Sequence, residues 1–253
     1  MSIRDTDKDW QVIALENPYW GVLSVDEFRG KDLAEESFNA FFRSGQSFIG
    51  NLIGLIRAHI VPNFSVKRSL DFGCGVGRLL VPMAHISETA VGVDIAPAML
   101  DICRSNLERL KIENCSLALS DDTLSKVDGM FDFINTYIVL QHIPPQRGYK
   151  LLGSLLSRLQ IGGCASIQIT YAKSRRFFQH EIGTARAYRR DGDTITDILP
   201  IDDTVGAGRI VMYDYDLNRI VAMISEVAGL PIIMLPTRDD DHLGVHFIFA
   251  RSR

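Results

Sequence analysis

The feature that most constrains this chain is a rhythm that begins after Pro62, where short apolar runs alternate with longer amphipathic ones. "RSLDFG" (68–73), "AVGVD" (90–94), "CSLALS" (115–120), the start of "FDFINTYIVL" (131–140) and "CASIQITY" (164–171) read as strands. "RLLVPMAHI" (78–86), "APAMLDICRSNLERL" (96–110) and "QRGYKLLGSLLSRLQ" (146–160) read as helices, the last closed by Gly162 and Gly163. Such alternation builds a parallel sheet with helices on both faces. "YDLNRIVAMISEVAGL" (215–230) adds a helix, and "PIIMLPT" (231–237) and "VHFIFAR" (245–251) add two strands. A short polar turn joins those strands, so they are antiparallel. The expected fold is α/β, a doubly wound, seven-stranded, mostly parallel sheet with an antiparallel C-terminal hairpin.

Two stretches stand outside the rhythm. Residues 1–33 carry Trp10, Tyr19, Trp20 and Phe28 among polar residues, as an ordered arm would. From Ala34 to Ile60 the apolar positions fall on a helical stripe. Residues 172–212 are polar and longer than an ordinary connection. They hold a basic run, 173–190, followed by an acidic one. Its charges either form a solvated face or recognise an anionic group through arginine.

Several classes of protein are disfavoured. The chain is 46% hydrophobic and 23% charged, an ordinary soluble composition. No run reaches the roughly 18 apolar residues of a membrane span. The charged start "MSIRDTDKDW" lacks the apolar stretch of a secretory signal, so a cytoplasmic protein is expected. A net charge of -4 disfavours nucleic acid as a partner. The four cysteines show no C-x-x-C pair and no histidine at ligand spacing, so neither a disulfide framework nor a metal site is expected.

The candidate site begins at "SLDFGCGVGRLL" (69–80), which places Gly73, Gly75 and Gly77 directly behind a strand. The dinucleotide fingerprint G-x-G-x-x-G would need its third glycine at position 78, where Arg78 stands. A phosphate loop would need Gly-Lys-Ser/Thr, which is absent. Asp71, two residues before the first glycine, would repel a pyrophosphate but suits an amine or sulfonium. Asp94 ends the next strand, 23 residues after Asp71, where an acid that binds ribose hydroxyls belongs. "SDD" (120–122) ends the third strand, where a carboxylate would either accept from an adenine amino group or cap a turn.

On these motifs the chain resembles class I S-adenosylmethionine-dependent methyltransferases of the small-molecule type. The matching stretches are "LDFGCGVGRL", "VGVDIAPAML", "SDD", "FDFINTYIVLQHIP" and "IGGCASI", in family order. The resemblance covers roughly residues 65–171 by motif. It departs from the family at Ile161, where a proline often stands. It implies a Rossmann-like methyltransferase fold that binds S-adenosyl-L-methionine and releases S-adenosyl-L-homocysteine. Asp71, with the backbone of Gly73 and Gly75, would hold the methionine end, and Gly77 would bring the next helix close. Cys74 and Arg78 of the same loop are also expected to contact the cofactor. Asp94 would hold the ribose, Ile95 and Met99 would pack near the adenine, and Asp121 or Asp122 would meet its amino group. Gln141 and His142 would face the methyl group and the acceptor.

His142 is the one catalytic candidate: either it removes a proton from the acceptor hydroxyl, or it caps the helix after Pro144 and Pro145. The remaining histidines, His246 among them, have no partner legible in the sequence and read as structural. The implied organisation is an N-terminal arm and helix covering the cofactor site (1–64) and a methyltransferase domain (65–253), with 172–212 as an acceptor-side lid. The implied reaction is direct in-line methyl transfer to a small-molecule acceptor, neutral or anionic. The expected acceptor atom is an oxygen of a biosynthetic intermediate such as a sugar, a lipid-linked glycan or a secondary metabolite. The alternatives are a nucleic-acid or protein methyltransferase, or a cofactor-binding protein with no turnover.

Overall fold

The computed structural model describes residues 6–174, 187–191, 194–198, 210–239 and 241–252. Three helices open it: α1 (Thr6–Glu16), α2 (Pro18–Val22) and α3 (Glu35–His59). The alternating region then runs β1 (Val66–Phe72), α4 (Leu80–Ile86), β2 (Ser87–Asp94), α5 (Pro97–Arg109), β3 (Cys115–Leu119), β4 (Phe131–Thr136), α6 (Pro145–Arg158) and β5 (Leu159–Lys173). A small hairpin of β6 (Ala187–Asp191) and β7 (Thr194–Ile198) follows. The described chain closes with α7 (Leu217–Ser225), β8 (Ile233–Asp239) and β9 (His242–Ala250).

The main sheet has seven strands in the order β3-β2-β1-β4-β5-β9-β8. Strands β1 to β5 pair in parallel, and β9 enters antiparallel between β5 and β8. This is the expected Rossmann-like methyltransferase fold. The chain order reverses around β1, whose neighbours are β2 and β4, so their carboxyl ends open a crevice where such sheets bind ligands.

Burial explains the continuous apolar strands, since both sheet faces are covered. On one face Leu70, Phe72, Val93, Phe131 and Ile134 pack under α6 and α7 through Leu152, Leu155, Ile220 and Ile224. On the other face the second half of α3 contributes Ile49, Leu52, Ile53 and Ile56, packed with Met83 of α4, Phe133 and Ile248. The first half of α3 joins the arm instead. Phe41 is fully buried and meets Tyr19, Phe28 and Phe42 edge-on, in a core shared with Cys74, Val76, Met99 and Cys103.

Among the strands, the widest departure from the expected bounds is at β5, which opens at Leu159 rather than at 164. The strand expected at the start of 131–140 is present and ends at Thr136, because Ile138 has a φ of 61° and the chain turns into a short 3-10 turn, Leu140–His142. β5 extends to Lys173, beyond the expected 171, because β9 pairs with it as far as Lys173↔His242. The segment after β5 returns on itself at Asp214, whose carboxylate takes the buried Lys173 ammonium at 2.6 Å. Tyr215 N also donates to Thr170 O, and Thr170 Oγ1 donates to Tyr213 O. Apart from the backbone of the β6–β7 hairpin, the basic run and most of 172–212 lie outside the described residues. Among the described residues, no helix is long and apolar enough to cross a membrane.

Gly45 marks where α3 and the glycine loop touch. A Cβ there would lie 2.0 Å from the carbonyl oxygen of Arg78. Alanine inside a helix normally stabilises it by about 1 kcal/mol relative to glycine. Here backbone meets backbone, so Gly45→Ala is expected to reverse that sign and destabilise the protein by about 1–3 kcal/mol, read as a lower urea midpoint at unchanged slope.

Candidate active site

A pocket of about 750 Å3, partly open to solvent, lies at the carboxyl ends of β1, β2 and β4. Its floor is the glycine loop. Gly73, Gly75 and Gly77 all have positive φ, at 75°, 51° and 98°. Side chains would also clash there: a Cβ would fall 2.3 Å from Val139 at Gly73 and 2.4 Å from Val22 at Gly75. Both conditions require bare backbone.

Asp94 sets the shape of that loop. Its Oδ2 accepts from Gly75 N and its Oδ1 from Ala96 N, each at 2.9 Å. Burial raises its pKa, opposed by the backbone N–H groups of Ala96, Gly75 and Ile95. A carboxylate has about four acceptor positions, so Asp94 keeps lone pairs for the pocket it lines. Ile95 and Met99 line the same wall.

The remaining expected residues fall elsewhere. Asp71 is buried behind the loop, where Asn135 Nδ2 donates to its Oδ1 at 2.8 Å; burial raises its carboxyl to about 6. Arg78 is also buried, with Ser44 Oγ 3.4 Å from its Nη1, and its Nε has no hydrogen-bond partner. Cys74 packs against Cys103, and the same Cys103 sulfur would lie 3.0 Å from a Cβ at Gly77. Gln141 is fully buried beside the pocket rather than on its wall.

The two acids of "SDD" are occupied. The Asp121 carboxylate closes its own turn by accepting from the N–H and hydroxyl groups of Thr123 and Ser125. Those donors hold it well below the usual carboxylate range. Asp122 accepts from Arg147 Nε at 2.8 Å. Neither lines the pocket; Ser120 does. Of the two expected roles, Asp121 takes the turn cap, and Asp122 takes an ion pair that the sequence did not indicate.

His142 is on the wall, 6% exposed. Its Nδ1 lies 2.9 Å from Val211 O, which can only accept, so the proton sits on Nδ1. Its Nε2 is then an acceptor, 3.4 Å from Gln141 Nε2. Gln141 is oriented in turn by Gln168, whose Nε2 donates to Gln141 Oε1 and whose Oε1 accepts from Ile138 N. Burial lowers the His142 pKa to about 4, so the ring is neutral at pH 7.

The arm supplies what sequence reasoning could not assign. Thr6, Asp7, Trp10, Gly21 and Val22 line the pocket, and Trp10 meets the His142 ring edge-on at 5.0 Å. Arg147 of α6 holds Asp7 through both oxygens, at 2.9 and 3.2 Å, while also holding Asp122. These partly exposed pairs are worth about 1 kcal/mol or less each. Tyr137 and Ile138 complete the wall, and Ile138 is held at its positive φ, an unfavourable conformation for a β-branched residue. Among the described residues, no group of three His, Cys, Asp or Glu side chains could hold a metal ion.

The strand order and the glycine floor define a class I, Rossmann-like methyltransferase fold. Over residues 70–163 the chain matches the family described as "Methyltransferase domain". Curated relatives include ubiquinone biosynthesis O-methyltransferases from Coxiella burnetii, 32% identical over 92 residues, and from Dinoroseobacter shibae, 33% over 89 residues. Each match covers about a third of this chain, at 36% and 35%, and 39% and 36% of the respective relative. Among solved structures, the N-methyltransferase NodS from Bradyrhizobium japonicum, with S-adenosylhomocysteine, superposes with a TM-score of 0.62 at 12% identity, covering 99% of this chain and 100% of that one. Magnesium protoporphyrin IX methyltransferase from Synechocystis superposes at 0.60 and 16% identity, covering 92% and 93%.

The depressed His142 pKa has a measurable consequence. Between pH 6.5 and about 4 the unfolded chain protonates this ring and the folded protein does not, so its contribution lowers stability as pH falls through that window. The His142 ring is expected to titrate near pH 4 by nuclear magnetic resonance, and His142→Gln to flatten the pH–stability curve over the same range.

Proposed function

We propose that this protein binds S-adenosyl-L-methionine in the pocket and transfers its methyl group to a small-molecule acceptor, at an oxygen. The observation that carries this reading is Asp94, a carboxylate on the pocket wall that holds the glycine loop by Gly75 N–H and still has free lone pairs. A dinucleotide reading is opposed by Arg78 at the third glycine position and by Asp71 behind the loop.

The residues present fit the cofactor. Gly73 and Gly75 present bare backbone to the pocket, between Val139 and Val22, where any Cβ would collide. Asp94 would hold the ribose hydroxyls, while Ile95 and Met99 would pack against the base. Asp71 would attract the amino group, and Arg78, with its orphaned Nε beside Asp71, suits the carboxylate. When bound, the cofactor supplies a methyl group already activated on a sulfonium sulfur. The protein's task is then to orient the acceptor and exclude water. Because the positive charge is lost in the transfer, acids are best placed at the ligand's ends rather than at the sulfur, the places proposed for Asp71 and Asp94.

His142 is the proposed proton acceptor. It would act as a neutral ring whose Nε2, exchanging its contact with Gln141 Nε2 for the acceptor hydroxyl, takes that proton as the new bond forms, since a group this weakly basic does not deprotonate a free hydroxyl. The O-methyltransferase names of the curated relatives support oxygen over nitrogen. The arm (1–64) is proposed as the cover of the cofactor site and 172–212 as the acceptor-side lid. The absence of a membrane-crossing helix among the described residues is compatible with a cytoplasmic enzyme.

Calorimetry with S-adenosylmethionine and S-adenosylhomocysteine tests the cofactor, and Asp94→Ala is expected to weaken both by roughly tenfold or more. Unchanged affinity would remove Asp94 from the site. With an acceptor found by released S-adenosylhomocysteine, His142→Ala should lower kcat while leaving cofactor affinity nearly intact. A variant with normal turnover would reduce His142 to a wall residue.

A further inference from the structure

A row of buried polar side chains crosses four neighbouring strands from the pocket side to the far part of the sheet. Asp71 on β1 accepts from Asn135 Nδ2 on β4 at 2.8 Å, and Asn135 Oδ1 accepts from Ser166 Oγ on β5 at 2.8 Å. Ser166 Oγ lies 2.7 Å from His246 Nε2 on β9. All four residues are at most 5% exposed. Strand register puts the first three in line: Asp71 pairs with Asn135, and Asn135 with Ser166, while His246, paired in register with Gln168, reaches Ser166 diagonally. Polar groups this deep are costly unless satisfied, so the row needs a reason beyond packing.

The donors run one way. An ionised carboxylate only accepts, so the Asn135 atom facing Asp71 must be nitrogen, and its oxygen then faces Ser166. Ser166 has one proton and spends it on that oxygen. His246 Nε2 must therefore donate to Ser166, which sets the ring's tautomer. The opposite tautomer would pull the Ser166 proton toward His246, leave Asn135 Oδ1 without a donor and free the amide to turn its oxygen toward Asp71. The ring is held in place by Phe48, stacked at 6.0 Å, and by Tyr137 at 5.2 Å, and Tyr137 lines the pocket.

We propose that His246 is a positioning residue for the Asp71 carboxylate, acting through Ser166 and Asn135 from three strands away. The row orients the Asn135 amide and keeps Asp71 ionised and fixed for the amino group of the cofactor. This rests on the reading that Asp71 binds that end of S-adenosylmethionine. The charged and titratable groups facing Asp71 are Arg78 at the start of α4, Asp94 on β2 and the thiols of Cys74 and Cys115. Those facing His246 are Tyr137 and, through Tyr137, Arg78 and Asp239.

The test begins with the free protein, so that it does not depend on the cofactor. Nitrogen chemical shifts of His246 at neutral pH should show the Nε2–H tautomer, and the carboxyl carbon of Asp71 should titrate at higher pH in Ser166→Ala than in wild type. His246→Leu should move it the same way, and His246→Gln, which retains a donor, should restore it. Calorimetry with S-adenosylmethionine near pH 7 should then show roughly tenfold weaker binding for Ser166→Ala, shrinking as pH rises. An Nδ1–H tautomer in wild type, which needs no variant to fold, or coincident Asp71 titrations would overturn the row. If the row's signatures appear and wild type binds no S-adenosylmethionine, the cofactor reading fails while the relay stands.

Discussion

The pocket depends on one carboxylate placed between two strands. Asp94 leaves the end of β2 and takes the Gly75 N–H of the loop that leaves β1, so neighbouring strand ends are tied by a side chain as well as by the sheet. The loop it holds carries three glycines with positive φ, which have no intrinsic reason to stay in one shape. Gly73 N and Cys74 N both donate to Val93 O, completing the tie from the β2 backbone. A pocket floor made of glycine is permissive by itself and becomes rigid only through these long-range bonds.

A second layer of constraint comes from the arm. Helices α1 and α2 and the first half of α3 share a core with the glycine loop and α5, so the cofactor-side wall and the arm are packed as one body. Val22 and Val139 press on Gly75 and Gly73 from opposite elements. Trp10 and Val211 together fix the ring of His142, one by its edge and one by a hydrogen bond. The chemistry of this histidine is therefore set by segments far from it in sequence: a neutral ring with a defined tautomer and a weakly basic Nε2.

Most of the fold was legible because hydrophobic periodicity is local. The strands at 68–73, 90–94, 115–120 and 164–171 and the helices at 96–110 and 146–160 emerge within a residue or a few of the expected bounds. The end of β4 was left open because the positive φ of Ile138, held by Gln168 Oε1 on β5, leaves no mark in the residues around it. The roles of Asp121 and Asp122 were left open for a similar reason. The spacing put an acid after β3, but only Thr123, Ser125 and Arg147 in place show that both carboxylates are already engaged. His246 looked partnerless because its partner, Ser166, is 80 residues away.

By itself the sequence determined the strand–helix order, the glycine loop and the acid at the end of β2, since each depends on residue type at short spacing. It thereby determined the class of fold and the chemistry of the pocket floor. Only the tertiary structure decided which carboxylates face that pocket, which are consumed by caps and ion pairs, and how the buried row from Asp71 to His246 is wired. The physical reason is that hydrogen-bond satisfaction in a buried site is settled between strands and helices distant along the chain, and no local pattern records it.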